Sequence, residues 1–179
     1  MGLEVSGARG DGLIGWGDLD DEVVGLLRMR KDVLDGVYSR RWPQPGQGES
    51  IELVSVDARE LRFFLDIYEG KRSNSLLVGV ERDRKSTMQH RLSDRLLMRV
   101  DWADNPGTLV HRNPDGRTIV GNHIHLGVDG NQRIPWAYPF SSQDVVPLSD
   151  DMNVAEVFCA FQDACSITGR LSVVQLLGV

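Results

Sequence analysis

The sequence predicts one α+β domain, in which a mostly antiparallel sheet of five or six strands is flanked by an N-terminal and a C-terminal helix. The length of 179 residues, with 41% hydrophobic and 26% charged residues, fits a single globular domain. The middle of the chain alternates apolar and polar residues with a period of two, whereas helical periodicity is confined to the ends. We therefore assign residues 1–17 to a flexible, Gly-rich N-terminus and residues 18–179 to the domain.

The two predicted helices are identified by their capping residues and apolar stripes. The first is predicted to begin at Asp18, because acidic residues cluster there and an apolar stripe with late basic residues follows. Gly36 is its predicted end, since glycine is common just after a helix. Near the other end of the chain, Asp150 or Asp151 is predicted to cap a second helix that ends at Gly169.

Period-two patterns predict the strands of the sheet, and clusters of Gly, Pro, Asn and Asp predict the turns that join them. The predicted strands are 51–56, 61–67, 76–82, 95–102 and 122–128, with a final apolar strand at 171–177. The predicted loops and turns are 41–48, 70–74, 105–107, 113–116 and 129–130. Closely spaced strands of this kind are typical of an antiparallel meander.

The charge distribution indicates an anionic ligand held at one place. The net charge of −6 argues against a protein that coats nucleic acids. Six basic and two acidic residues nevertheless lie between positions 82 and 99, which gives this segment a charge of +4. The basic residues are Arg82, Arg84, Lys85, Arg91, Arg95 and Arg99. Such a patch can focus an anionic substrate, although a solvated basic strand or turn would have the same sequence.

The lack of a visible targeting signal and the spacing of the two cysteines predict a cytoplasmic protein that makes no membrane contact. No apolar run approaches the roughly 18 residues that span a bilayer, and no signal peptide is visible. Cys159 and Cys165 fall on different faces of the predicted second helix, which makes them poor disulfide partners. Unpaired thiols fit a reducing compartment.

Three of the four histidines are close together in the sequence. His123 and His125 are two residues apart, so on a strand their side chains share one face while Ile124 and Leu126 pack on the other. His111 opens the turn at 113–116 and can approach the pair if this connection returns as a hairpin. The fourth histidine, His90, lies in the basic segment, where we expect a binding role.

Arg99 and Asp101 share one face of the preceding predicted strand, and two chemistries suit such a set of side chains. One is acid–base catalysis on a phosphodiester, because histidine titrates near neutral pH and arginine stabilises charge on phosphoryl oxygens. The other is a metal site in which His-x-His is joined by His111 and a carboxylate such as Asp101 or Asp104. Imidazoles that are only hydrogen-bonded on a half-exposed strand are a third, structural interpretation. The many arginines favour phosphate, because cations oppose a divalent ion, so no metal or other cofactor is predicted.

Aromatic residues follow the histidines and offer a second kind of contact. Trp136 and Tyr138 could stack on nucleic-acid bases beside the histidine-bearing surface. An edge strand that covers the core would have the same pattern. The sequence has no phosphate-binding Gly-rich loop, no nucleophile motif and no dinucleotide fingerprint.

These motifs together resemble an uncharacterised family of small bacterial proteins that is often linked to prophages and mobile elements. The motifs are Arg99-x-Asp101, His111-Arg112-Asn113-Pro114-Asp115-Gly116, His123-Ile124-His125 and Trp136-Ala137-Tyr138. More loosely, an Arg/Asp strand followed by a His-x-His strand is similar to the small endoribonuclease toxins of toxin–antitoxin modules. That similarity implies a compact sheet with one or two helices and a site of histidine and arginine. The acidic net charge departs from the basic character of such toxins.

The leading hypothesis is a toxin-like, metal-independent endoribonuclease, in which His123 and His125 are the acid–base pair and His111 substitutes for either. The side chains expected to hold the phosphate are Arg82, Lys85 and Arg99. The wider predicted substrate-binding set adds Arg84, Arg95, Asp101, Trp136 and Tyr138. RNA and a cognate antitoxin protein are the expected partners, with a homodimer as the candidate assembly. The alternatives are a non-enzymatic interaction protein of a mobile element and a metal-dependent hydrolase with a His-x-His site.

Overall fold

The computed structural model describes residues 13–71, 84–127 and 136–174. These residues form eleven β-strands and two α-helices. The strands are β1 Lys31–Val33, β2 Ser39–Arg41, β3 Gly48–Ser55, β4 Arg62–Glu69, β5 Lys85–Leu92, β6 Arg95–Ala103, β7 Val110–Arg112, β8 Thr118–Val120, β9 His123–Leu126, β10 Trp136–Pro139 and β11 Ser172–Val174. The helices are α1 Asp21–Arg28 and α2 Val154–Ala164. The α+β fold class is therefore as predicted.

Seven strands form the main sheet, in the order β1-β3-β4-β5-β6-β9-β10, and every neighbouring pair is antiparallel. The prediction of five or six strands was wrong by count, because β1 and β5 lie in segments that were assigned to a helix and to a basic patch. Two small sheets complete the described structure: the β7–β8 hairpin and the parallel pair β11–β2. The predicted strand at 76–82 and turn at 129–130 lie outside the described residues.

Helix α1 is shorter than its sequence pattern predicted. The Asp20 carboxylate caps it by accepting hydrogen bonds from the backbone amides of Glu22 and Val23 at 3.0 and 3.1 Å. It ends at Arg28 rather than at Gly36, because residues 31–33 pair with β3 instead. The pairing of β1 with the long strand β3 overrides the local helical pattern.

Helix α2 begins later than predicted and is capped by Asn153, not by Asp150 or Asp151. The Asn153 side chain accepts hydrogen bonds from two backbone amides, and the Glu156 carboxylate accepts one from the Asn153 backbone amide, which completes a capping box. The helix ends at Ala164, before the predicted Gly169.

Lys31 joins the ends of the two helices inside the core. Its side chain is fully buried, and its ammonium group donates to four backbone carbonyl oxygens at 2.6–3.0 Å. Three of these carbonyls are at the end of α1, and the fourth belongs to Cys165 at the end of α2. The ammonium thus satisfies carbonyl groups that a helix terminus leaves without intrahelical partners.

The two faces of the main sheet have different compositions, because side chains alternate along each strand. We call the face that packs against the helices the core face. It carries buried apolar side chains such as Met88, Val100 and Ile124, which share one hydrophobic cluster with residues of α1 and α2. The opposite face, which we call the outer face, carries polar side chains, including Thr87 and Asp101 on adjacent strands.

His90 belongs to the core face, so its expected role in binding was wrong. It lies opposite Met98, has no exposed surface and stacks on the Phe63 ring at a centroid distance of 5.4 Å. Its Nδ1 is 3.1 Å from the Phe64 carbonyl oxygen. Burial, with a smaller effect of the Lys31 charge, lowers the pKa of His90 to about 3.

Within the described ranges, no helix has both the length and the apolar content that crossing a bilayer requires.

Candidate functional site

The site is built where β6 pairs with β9 on the outer face. The register places Asp101 opposite His123 and Arg99 opposite His125, so four polar side chains meet on two neighbouring strands. Ile124, between the two histidines, is fully buried on the core face. The shared face of His123 and His125 that the alternation predicted is therefore present, and both imidazoles are also almost fully buried.

Asp101 lies at the centre of this arrangement, with its two carboxylate oxygens facing different partners. Oδ2 is 3.1 Å from His125 Nε2 and 3.4 Å from His123 Nε2. Oδ1 accepts hydrogen bonds from Thr87 Oγ1 at 2.5 Å and from Arg99 Nη2 at 2.9 Å. Burial raises the pKa of Asp101, but the two histidines and Arg99 together hold it well below its usual range. Asp101 is therefore an ionised carboxylate.

His111 reaches the pair from the β7–β8 hairpin, which lies against the outer face. Its ring is perpendicular to that of His125 at a centroid distance of 4.6 Å, and its centroid is 5.7 Å from that of His123. One ring nitrogen from each of the three histidines lies within 4.8 Å of the others. Burial and, to a smaller extent, the neighbouring imidazoles lower the pKa of His111.

Asn113 fixes the hairpin in this place, a role that sequence reasoning missed. Its side-chain amide accepts from the Ala137 amide at 2.9 Å and donates to the Ala137 carbonyl at 3.0 Å. Ala137 pairs with His125 in the sheet, so Asn113 ties the hairpin beside the site. The sequence signal is the asparagine that opens the Asn-Pro-Asp-Gly turn next to His111, which the predicted turn alone would explain.

The two nitrogens of the His123 ring both face oxygen atoms. Nδ1 is 2.7 Å from the Gly121 carbonyl oxygen, and Nε2 faces Asp101. Gly121 adopts φ +120°, a conformation that residues with a side chain rarely adopt, where the chain turns into β9. In contrast to the two partnered nitrogens of His123, His111 Nε2 is buried and has no hydrogen-bond partner among the described residues.

A cleft of about 280 Å³ opens over this cluster. The side chains that matter for its chemistry are Tyr68, Lys85, Arg99, Asp101, His111 and His123. Lys85 donates to the Thr108 carbonyl oxygen at 2.8 Å and has no described carboxylate within ion-pair distance. Tyr68 is 44% exposed. The cleft therefore offers cations and an aromatic ring, while His125 lies beneath its wall.

The other predicted arginines do not join this cleft as free charges. Arg84 pairs with the buried Glu69 at 2.9 Å and lies over the Trp42 ring. Arg95 lies at the far end of β6 and pairs with Glu22 of α1 at 2.7 Å. Arg82, which was predicted to hold phosphate, lies outside the described residues. Of the basic segment, the structure brings Lys85 and Arg99 to the site.

Trp136 and Tyr138 face away from the histidines. In β10 they pair with Leu126 and Ile124, so they share the core face with those residues, and Tyr138 packs against the core. Ala137, between them, lies on the outer face. The aromatic ring beside the site is that of Tyr68, which the register of β4 and β5 places next to Thr87.

A family model described as a family of unknown function, DUF6978, matches residues 19–167 of the chain. This match confirms the expectation of an uncharacterised family that the motifs had raised. No curated protein and no solved structure matches the chain.

Proposed function

The chain belongs to the DUF6978 family, and we propose that its cleft binds and cleaves phosphodiesters, with RNA as the first substrate class to test. The observation that carries this proposal is the position of Lys85 and Arg99 in one cleft with His111, His123 and Asp101. Cations that converge beside groups able to move protons are what phosphoryl chemistry requires.

Substrate binding is assigned to the two cations and the exposed ring. Lys85 has donors beyond the one that Thr108 accepts, because an ammonium group carries three. Arg99 is 39% exposed at its side chain and can contact a phosphoryl oxygen while it holds Asp101. Tyr68 on the same cleft can stack on a base. A cleft of about 280 Å³ suits one nucleotide unit at a time.

The histidine cluster supplies the proton chemistry, by an imidazole or by a water bound to an ion. RNA brings its own nucleophile, the 2′-hydroxyl, so a base that removes its proton is the minimum requirement. An acid–base pair of His123 and His125 has poor access to a substrate, because both rings are buried and both Nε2 atoms face Asp101 Oδ2. His111 and His123, which line the cleft, are the better-placed pair.

Single-turnover cleavage of an end-labelled mixed RNA, with and without a chelator, tests the proposal. We expect cleavage by the wild-type protein, and we expect Lys85→Ala to weaken binding and to reduce its salt dependence by about one phosphate contact. The matched control is Arg62→Ala, which removes an exposed cation of β4 that pairs with Glu52 outside the cleft. Equal loss in both variants, or no cleavage under any condition, would reject the proposal.

An interaction protein of a mobile element is the second candidate, and the hairpin favours it. Val110 and Val120 pair across the hairpin and are 67% and 61% exposed, and Val110 lines the cleft. Exposed apolar side chains beside a polar cleft are common where another protein docks. Co-expression with the product of a neighbouring gene, scored for growth and RNA integrity, separates the two candidates. Complex formation without RNA damage supports the interaction protein, whereas RNA damage that the partner suppresses supports a toxin.

A further inference from the structure

We propose that His111, His123, His125 and Asp101 hold one divalent transition-metal ion, with Zn²⁺ as the best match, at the inner end of the cleft. The many arginines of the sequence predict that no metal binds, whereas the arrangement of these four side chains favours a metal site. The catalytic use of this ion rests on the function proposed above, whereas its binding does not.

The hydrogen-bonding partners of His123 require a cation between its ring and Asp101. The Gly121 carbonyl is only an acceptor, so Nδ1 must donate to it across 2.7 Å. In a neutral ring, Nε2 then carries a lone pair that faces the carboxylate Oδ2 at 3.4 Å. Two electron-rich atoms at this distance repel each other unless a proton or a metal ion lies between them.

His125 also faces Asp101 Oδ2 with a ring nitrogen. His125 Nε2 is 3.1 Å from the same carboxylate oxygen. Around an ion with Zn–N and Zn–O bonds of about 2.0–2.2 Å, ligand atoms in a tetrahedron are about 3.3–3.6 Å apart. The 3.4 Å separation of His123 Nε2 from Asp101 Oδ2 falls in this range, and the 3.1 Å separation of His125 Nε2 is slightly shorter, at hydrogen-bond distance.

His111 provides an independent observation from a different element. Its Nε2 is buried and has no hydrogen-bond partner among the described residues, although burying such an atom without a partner is costly. A nitrogen of this ring lies within 4.8 Å of a nitrogen in each of the other two. A metal bond to Nε2 would give this buried atom the partner that it lacks.

The remaining contacts are those that hold metal ligands in orientation. The Gly121 carbonyl fixes the tautomer of His123, and Thr87 and Arg99 hold Asp101 by Oδ1 so that Oδ2 faces the imidazoles. Arg99 contacts Asp101 through Oδ1, whereas the histidines face Oδ2, and its side chain is partly exposed, which screens its repulsion of an ion. Three imidazoles and one carboxylate suit Zn²⁺.

A bound ion would complete the chemistry of the proposed function. Such an ion supplies a Lewis acid and lowers the pKa of a bound water. Four protein ligands would fill a tetrahedron, so the ion would reach a water or a substrate only by expansion to five ligands. His111 and His123 belong to the wall of the cleft, on the side where Lys85 and Arg99 would hold the substrate. His125, beneath the wall, would serve only as a ligand.

The test is direct titration of the metal-stripped, full-length protein with Zn²⁺ by calorimetry and with Co²⁺ by its visible absorption. We expect about one ion per chain and a rise in Tm. His111→Gln changes a partly buried side chain on the hairpin, and Asp101→Asn keeps the shape of its side chain. Each is expected to weaken binding by about 100-fold or more. The matched control is His90→Gln, which removes the one histidine of the core face and should bind as wild type does.

Each outcome has a defined meaning. No heat and no Co²⁺ absorption with the folded wild-type protein would overturn the proposal. Binding that survives in both His111→Gln and Asp101→Asn, or that is lost in His90→Gln, would overturn this assignment of ligands. Stoichiometric binding with no cleavage of RNA would support the metal site and reject the proposed function, so the two failures are distinguishable.

Discussion

Asn113 and Ala137 exchange two hydrogen bonds, in which the side-chain amide of one satisfies both backbone groups of the other at 2.9 and 3.0 Å. This contact mimics a strand pairing between a hairpin turn and the edge of the main sheet. Because Ala137 is the β10 partner of His125, the contact determines where His111 meets the other two histidines.

We expect Asn113→Ala to release the hairpin and to weaken Zn²⁺ binding, with little effect on the stability of the core. The substitution leaves the buried Ala137 amide and carbonyl without partners, at a cost of about 1–3 kcal/mol that falls on hairpin docking. Calorimetric titration and urea unfolding measure the two effects. Asn105→Ala, in the exposed turn before the hairpin, is the matched control. Equal Zn²⁺ affinity in both variants would show that the contact does not position His111.

We expect Lys31→Met to lower the free energy of unfolding by about 1–3 kcal/mol, because the substitution leaves buried carbonyl oxygens without their hydrogen-bond donor. The variant strips the donor from four carbonyl oxygens at the ends of both helices. Urea unfolding followed by circular dichroism gives the number. Lys71→Met, at an exposed lysine, is the control and should change stability by less than about 0.5 kcal/mol. A loss as small as that of the control would contradict the assigned role.

Stability is expected to fall in mild acid because of His90. Its pKa in the folded protein is about 3, below the ordinary value of 6.5, so the unfolded chain binds this proton more readily. The stabilising contribution is therefore complete above pH 6.5 and is lost as the pH falls from 6.5 towards 3. By pH 5 this loss is about 2 kcal/mol.

Urea unfolding of wild type and His90→Gln at pH 7 and pH 5 measures this difference. The variant cannot titrate, and its amide can still donate to the Phe64 carbonyl. Its stability should change less than that of wild type between the two pH values. An identical pH dependence of both proteins would assign the acid sensitivity to other groups.

If RNA occupies the cleft, Tyr68→Ala should weaken its binding by about tenfold, since stacking on an aromatic ring contributes roughly 1–3 kcal/mol per base. Fluorescence anisotropy with a short labelled RNA measures the affinity. Tyr38→Ala is the matched control, because Tyr38 is similarly exposed but its hydroxyl donates to Asp32, outside the cleft. RNA affinity that is unchanged in Tyr68→Ala would exclude stacking on this ring.

The sequence pattern predicted the parts of the site that depend on a single strand. Alternation alone placed His123 and His125 on one face and Ile124 on the other, and the same argument paired Arg99 with Asp101 on theirs. It could not predict which arginines would meet a carboxylate, because Glu69 and Glu22 come from elements that are distant in the chain. For the same reason, the tertiary contact of Asn113 with Ala137 was invisible.

Errors in the predicted elements have a similar cause. Residues 31–33 continue a helical pattern, yet they form β1 because β3 is available as a pairing partner. The Lys31 ammonium also donates hydrogen bonds to carbonyl oxygens at the end of α1. The aromatic residues of β10 were expected beside the histidines because of their closeness in the chain. Their pairing with β9 instead sends Trp136 and Tyr138 to the core face.

The alternation of site and core residues along β9 has a consequence for how this chain can change in length. Inserting or deleting one residue within β9 would shift its register on β6 and exchange Ile124 and Leu126 with the two histidines. Such a change would place imidazoles in the core and lose the site in the same step. Additions at the tip of the hairpin, residues 114–116, leave that register intact, so length variation among relatives should be found there and not in β9.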